Sequence, residues 1–121
     1  MSAMTVVAVG LLGGVGAVGR LLLDGAVSAR RSGTFPAGTF VVNLAGSLVL
    51  GVLVGAGTGE EGLRLFATGL IGSFTTFSTW IFESHRLAED GEAGVAFANV
   101  AISLVAGVAL AWIGIEIGGA L

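Results

Sequence analysis

The most informative segment of this sequence is Gly72-Ser73-Phe74-Thr75-Thr76-Phe77-Ser78-Thr79-Trp80. It lies in the third of four long apolar runs and holds five hydroxyl side chains and three aromatic rings in nine residues. Hydroxyl groups compete with the backbone for hydrogen bonds, and glycine and β-branched residues lower helix propensity. We therefore predict that the helix through this run is broken near residues 72–76.

A break in the middle of a membrane span restricts what can surround it. Non-helical backbone at that depth is tolerated only where protein buries it or where it lines a wet cavity. Its freed carbonyls can hold a cation, and its freed N–H groups can hold an anion. Phe77 and Trp80, at i and i+3, share one face of the helix that follows. Such a pair is commonly plain packing, but its ring edges can also face an anion.

The composition of the whole chain is that of a membrane protein. Of its 121 residues, 55% are hydrophobic and 11% are charged, and the mean hydropathy is +1.01. Soluble domains carry about 25% charged residues, so a soluble enzyme is excluded. Four apolar runs, at about residues 4–27, 36–57, 62–82 and 95–117, each approach the roughly 20 residues that a bilayer requires. We predict an all-α membrane protein with a single domain, residues 1–121, of four transmembrane helices.

The distribution of charge excludes some partners and says little about orientation. A net charge of −3 leaves no basic patch, so we expect no nucleic-acid partner. Cysteine is absent, which removes disulfides and thiolate metal ligands. Arg30, Arg31 and Arg86 would face one side of the membrane and Arg64 the other. This bias is weak, so insertion in both orientations is compatible with the sequence.

Glycine is abundant, at 22 residues, and much of it follows helical spacing. Gly10–Gly14 and Gly51–Gly55 are GxxxG pairs, and Ser103, Gly107 and Ala111 continue a stripe of small residues. Small residues let membrane helices approach closely. We predict a tightly packed bundle with little interior space, so that a pore would need a second copy of the chain.

The first apolar run contains a pair of charged residues. Arg20 lies late in this run, and Asp24 follows one helical turn later. The arginine can pair with Asp24 or extend to the membrane surface. Alternatively, it can serve as a fixed positive charge at the mouth of an anion route, because an ionisable residue within a span is a functional candidate.

Two asparagine–serine pairs occupy the second and fourth runs. Ser47 follows Asn43 at i+4, and Ser103 follows Asn99 at i+4. An asparagine amide can join neighbouring helices or donate two hydrogen bonds to an anion. The sequence leaves both roles open for each pair.

Three segments together resemble the CrcB/Fluc fluoride channel family, and the resemblance covers essentially the whole chain. The glycine-rich segment that ends in Arg20 (residues 13–20) resembles the family's first-helix signature. Residues 38–47, GTFVVNLAGS, resemble its GTxxVNxxGS motif, and residues 72–80 resemble its GGxTTFSTF motif. Two departures stand out, because Ser73 replaces a glycine and Trp80 replaces a phenylalanine.

The resemblance implies an antiparallel dual-topology dimer with two fluoride pathways. It also implies a structural sodium ion (Na+) on the dimer axis, held by the backbone carbonyls of Gly72 and Thr75. Arg20 and Glu83 match the family's vestibule or structural positions. The polar last-helix position falls on Ser103, and less closely on Asn99. The anion pathway that follows from these matches comprises Asn43, Phe77, Ser78, Thr79, Trp80 and Ser103.

The expected function is a channel that exports fluoride passively and lowers its cytoplasmic concentration, not an enzyme. Its expected partners are fluoride, the lipid bilayer of a prokaryotic plasma or inner membrane, and a second subunit, identical or paralogous. The alternatives are a dual-topology exporter of organic cations and a non-transporting anchoring subunit. Cation export requires a membrane-embedded carboxylate, and the middles of the four runs contain none. For Trp80 we predict that its ring edge faces a lumen shared with Phe77 and Asn43, where the indole N–H could donate to the ion; the alternative is a tryptophan that turns away to anchor the span at the interface.

Overall fold

Helices occupy all four apolar runs, slightly shorter than the run in the second and longer than the run in the other three. The structure, a computed structural model, describes all 121 residues and contains no strand. Helix α1 begins after Ser2, whose hydroxyl accepts from the Thr5 N–H at 3.1 Å. The first, second and fourth runs form α1 (Ala3–Ala29), α2 (Ala37–Gly55) and α5 (Ala93–Gly119). The third run forms two helices, α3 (residues 60–74) and α4 (Ser78–Glu89).

The predicted break in the third run is confirmed, although it lies slightly later than expected. Residues 75–77 are not helical, whereas Gly72 and Ser73 still belong to the last turn of α3. Thr75 donates from its N–H to Ile71 at 3.0 Å and then turns extended, with φ −81° and ψ 161°. The Ser73 hydroxyl bonds back to the carbonyls of Gly69 and Leu70, both at 3.0 Å, so it supports the helix end.

Most of α3 has π-helical geometry, which the sequence analysis did not predict. The segment Leu63–Ile71 is π-helical, between the α-helical turns Glu60–Gly62 and Gly72–Phe74. The wider turn is visible at its end, where the Gly72 N–H donates to the carbonyl of Ala67, five residues earlier. π-Helices are rare and concentrate at functional sites. Here the segment leads directly into the break.

Four helical segments are long and apolar enough to cross a bilayer: Ala3–Ala29, Ala37–Gly55, Glu60–Glu89 and Ala93–Gly119. Large apolar side chains are exposed along these segments, including Leu21, Val105 and Trp112. Such a surface suits lipid or another membrane protein chain. The chain is therefore a multi-pass membrane protein, as predicted.

The closest helix packing joins α2 to α5, where glycines from both helices meet backbone atoms. A Cβ added at Gly51 would collide with the Ala111 carbonyl, and one at Gly114 would collide with the Leu48 carbonyl. The Gly51–Gly55 pair therefore acts as predicted. By contrast, a Cβ at Gly10 or Gly14 would meet nothing within 4 Å, so that pair lies on an open face of α1.

Gly51→Ala should destabilise the protein, because the added methyl group would force α2 and α5 apart. Overpacking of this kind costs about 1–3 kcal/mol. Gly10→Ala makes the same chemical change on the open face and is the matched control. Thermal unfolding in detergent, followed by circular dichroism, should show a lower midpoint for Gly51→Ala only. Equal midpoints for the two variants would contradict this packing.

Candidate functional site

The Asn43 side chain spans the gap between α2 and the break. Its Nδ2 donates to the Thr76 carbonyl at 2.8 Å, and its Oδ1 accepts from the Thr76 N–H at 2.8 Å. One amide thereby satisfies both backbone groups of a residue that has left the helix, which meets the requirement for paired backbone in a membrane. Of the two roles that the sequence left open for Asn43, a structural hydrogen bond to a neighbouring segment is the one observed. The second Nδ2 hydrogen remains available, and a contact between Asn43 and an anion stays a prediction.

The backbone carbonyls of Gly72 and Thr75 receive no hydrogen bond, and the carbonyl of Ser73, which lies between them, receives none either. In a continuous helix the Thr76 N–H would donate to Gly72, but it donates to Asn43 instead. Likewise, the Thr79 N–H would donate to Thr75, but it donates to the Thr76 hydroxyl at 3.2 Å. No other backbone or side-chain donor reaches either carbonyl. Gly72 and Thr75 are the residues whose carbonyls the family resemblance assigns to a cation.

A cavity of ≈ 440 Å³ opens beside the break, between α2, α4 and α5. It brings together four of the predicted pathway residues, Asn43, Phe77, Trp80 and Ser103. Its other polar lining residues are Ser47, Thr75 and Thr76, and no charged side chain lines it. We call it the inner cavity. Amide and hydroxyl groups of this kind bind a small anion without the strength of a fixed positive charge.

Trp80 lines the inner cavity, but its polar edge is directed elsewhere. The residue is only 8% exposed, and its indole N–H donates to the Asn99 carbonyl at 3.2 Å. In this structure the indole N–H is therefore engaged with the backbone of α5, and its contact with an ion stays a prediction. The anchoring alternative, a tryptophan turned away to the membrane surface, does not match this buried ring. Its ring meets that of Phe77 edge-on, with centroids 5.4 Å apart and an interplanar angle of 75°.

A second cavity, of ≈ 550 Å³, lies beside the C-terminal part of α4 and the α1–α2 connection. Its lining includes Thr79, Glu83, Arg86 and Asp90. We call it the outer cavity. Thr76, which lines the inner cavity, donates a hydrogen bond from its hydroxyl to that of Thr79 at 3.1 Å, so a hydrogen bond links one lining residue of each cavity. Ser78 is exposed and lines neither cavity.

The ion pair between Arg20 and Asp24, one of the alternatives that the sequence left open, does not form. Asp24 instead accepts from the Ser28 hydroxyl at 3.2 Å. Arg20 lines neither cavity, and its Nε is buried without a hydrogen-bond partner. The Oε1 of Glu83 is also buried and unpartnered. The structure therefore leaves Arg20 and Glu83 with unused polar capacity, and a role for Arg20 at the mouth of an anion route stays a prediction.

Asn99 lies outside both cavities and is 1% exposed. Its Nδ2 donates to the Ser84 hydroxyl at 2.8 Å, and its Oδ1 accepts from Ser103 at 3.4 Å. Of the two roles left open by the sequence, joining helices is the one observed. Thr76, the residue clamped by Asn43, was not among the predicted site residues. Nothing in the sequence distinguished it from the neighbouring hydroxyls.

The fold and the site define a class: a multi-pass membrane protein with an interrupted span beside a cavity lined by apolar side chains and uncharged hydrogen-bonding groups. The family described as CrcB-like protein, Camphor Resistance (CrcB), matches residues 7–115. The chain belongs to this CrcB family.

Named relatives cover nearly the whole chain. The Fluoride-specific ion channel FluC 2 of Mycolicibacterium paratuberculosis is 48% identical, over 89% of this chain and 88% of its own. The FluC 2 of Mycobacterium bovis is 44% identical, over 86% of this chain and 82% of its own. The Fluoride-specific ion channel FluC 1 of Symbiobacterium thermophilum is 41% identical, over 95% of this chain and 98% of its own. These matches confirm the family that the three sequence motifs indicated.

Proposed function

We propose that this chain forms a fluoride-specific channel that lets fluoride leave the cell passively, and that it is not an enzyme. The observation that carries the proposal, beyond the names of the relatives, is the set of uncharged hydrogen-bonding groups in the otherwise apolar lining of the inner cavity. Fluoride is small and tightly hydrated, so a pore must replace its water with donors. Binding must also be weak enough for release, which amides and hydroxyls allow.

The proposed route passes from the inner cavity to the outer cavity along α4. Asn43, Phe77, Trp80 and Ser103 surround the ion in the inner cavity. The hydroxyls of Thr76 and Thr79 lie between the two cavities. In the outer cavity Arg86 supplies a positive charge, and Glu83 lies beside it along the same wall.

We further propose that two copies of the chain assemble as an antiparallel pair around a structural sodium ion. The free carbonyls of Gly72 and Thr75 fit this ion, because carbonyl oxygens are the ligands of hard cations. Gly72 is exposed in the single chain, so a second copy has access to it. A bound cation would hold the broken helices of the two copies together. Gly72 and Thr75 would supply the carbonyl oxygens that hold it. The second copy is identical or paralogous.

Replacing sodium by potassium should weaken the dimer and lower fluoride flux, because the larger ion fits the same oxygens poorly. At a sodium concentration 100 times its Kd, the ion would stabilise the dimer by about 2.7 kcal/mol. Dissociation is followed by size-exclusion chromatography after prolonged exchange. Thr75→Ala keeps the backbone carbonyl and should retain the sodium dependence. If dimer dissociation and fluoride flux were the same with and without sodium, the structural ion would be removed from the proposal.

Reconstitution into liposomes tests the function directly. Efflux of fluoride, chloride and a quaternary ammonium ion is compared, with ion-selective electrodes for the anions. Fluoride efflux without the other two supports the channel. Efflux of the quaternary ammonium ion would favour the organic-cation exporter, which the uncharged inner cavity already disfavours. No efflux from the single chain, with efflux on adding a paralogue, would identify a heterodimer.

A further inference from the structure

We propose that Asn99, buried outside the inner cavity, is a positioning residue that orients Trp80 and Ser103 at the cavity wall. The proposal rests on the fluoride channel function given above, and it assigns a selectivity role to a side chain that touches no ion. Asn99 is the most fully buried polar residue of the chain, at 1% exposure, and it lies on α5 opposite α4.

A closed ring of three hydrogen bonds holds Trp80 at both of its ends. Asn99 Nδ2 donates to the Ser84 hydroxyl at 2.8 Å, and that hydroxyl donates to the Trp80 carbonyl at 2.9 Å. The indole N–H closes the ring by donating to the backbone carbonyl of Asn99 at 3.2 Å, a bond that Asn99→Leu leaves in place. Ser84 is itself only 7% exposed. A satisfied network with so little access to water is stiff, so the plane of the indole ring is fixed with it.

The orientation of the Trp80 ring matters because Phe77 is not held in this way. Phe77 is 71% exposed and has only its edge-on contact with Trp80 among aromatic partners. Quadrupole interactions between rings depend on their relative angle. The plane of Trp80 therefore determines how the two rings present their edges and faces to the cavity. A tilt of Trp80 would change the fit to a small anion before it closed the cavity.

Asn99 also acts on the one serine of α5 that lines the inner cavity. Ser103 donates its proton to Asn99 Oδ1 at 3.4 Å, near the limit for a hydrogen bond. A bond this long is readily given up. When the Ser103 hydroxyl rotates, it can donate its hydrogen bond to an anion in the cavity instead of to Asn99. Asn99 thus holds the Ser103 donor in a defined position until an ion arrives.

The competing account is that the ring only fastens α4 to α5. The two accounts differ in their dependence on Trp80. If Asn99 and Ser84 act through the indole, their loss should matter much less once Trp80 is a phenylalanine without an N–H. If they only fasten the helices, their loss should cost the same with either residue at position 80. Double-mutant cycles measure this difference.

The experiment places Ser84→Ala and Asn99→Leu in the wild-type and Trp80→Phe chains. Fluoride efflux and the fluoride-to-chloride ratio are measured in liposomes, per amount of folded protein. Ser28→Ala is the control, because Ser28 also donates a hydrogen bond four residues back, to the Asp24 carboxylate, at an exposed site lining neither cavity. A separate Trp112→Phe background leaves Trp80 as the single tryptophan, so that its fluorescence emission reports the ring's surroundings.

We expect each variant to lower fluoride flux or selectivity at least about fivefold in the wild-type chain, because each removes two side-chain hydrogen bonds, and less than about twofold in Trp80→Phe. Trp80 emission should shift in both variants and not in Ser28→Ala. Equal losses in the two backgrounds, or unchanged emission, would overturn the proposal. If the wild-type chain carries no fluoride either alone or with a paralogue, the function fails, and the emission measurement still decides whether Asn99 positions Trp80.

Discussion

Asn43→Asp should abolish most fluoride flux, with the fold largely kept. The carboxylate has nearly the same shape as the amide, but it brings a negative charge into a cavity that has none. At 4 Å and an effective dielectric constant of 20, this charge would repel fluoride by about 4 kcal/mol. That energy corresponds to nearly a thousandfold change in occupancy. Electrode measurements of fluoride efflux from liposomes provide the check.

A second effect of this substitution arises at the break itself. The variant loses the Nδ2 donor that reaches the Thr76 carbonyl at 2.8 Å, so two oxygen atoms would face each other there. Asn43→Ala removes the clamp without adding charge and is the matched control. A far greater loss in Asn43→Asp than in Asn43→Ala assigns the effect to charge. Equal losses would mean that Asn43 supports the break only, and near-normal flux in Asn43→Asp would remove it from the route.

Much of the fold could be predicted because the membrane imposes simple rules on a sequence. Span length and apolar composition located all four helices, and the hydroxyl-rich segment at residues 72–80 located the break. The exact position of the break depends on a long-range contact. Asn43 captures the backbone of Thr76, 33 residues away, and this moves the non-helical residues to 75–77. No local propensity contains that information.

Features that depend on which group a side chain contacts in the folded chain were not predicted. The i+3 spacing of Phe77 and Trp80 correctly placed both rings at one cavity, but it could not say where the indole N–H points. That proton goes to Asn99, whose carbonyl is brought near by the packing of α5 on α4. The π-helical geometry of Leu63–Ile71 has no clear sequence signature. The spacing of Arg20 and Asp24 suited an ion pair, but Asp24 accepts a hydrogen bond from the Ser28 hydroxyl instead.

Trp80→Ala should reduce fluoride flux sharply, because it removes both a cavity wall and a structural support. The ring is 8% exposed and packs edge-on against Phe77. Truncation of a buried tryptophan to alanine costs about 3–5 kcal/mol of stability. Flux must therefore be expressed per amount of folded protein, determined by size-exclusion chromatography before reconstitution. We expect the remaining folded protein to conduct at least about tenfold less, because the space left by the ring admits water that competes for the ion's donors.

Trp80→Phe separates the ring from its hydrogen bond and restores the residue of the family motif. It keeps an aromatic edge beside Phe77 and loses only the 3.2 Å bond to Asn99, so flux should stay within a few-fold of the wild-type value. A strong loss in Trp80→Phe would mean that the N–H, not the ring, is what the channel needs from this position. Near-normal flux in Trp80→Ala together with near-normal flux in Asn43→Asp would place the ion route elsewhere. The broken span would then be an architectural feature, held by Asn43 and unrelated to conduction.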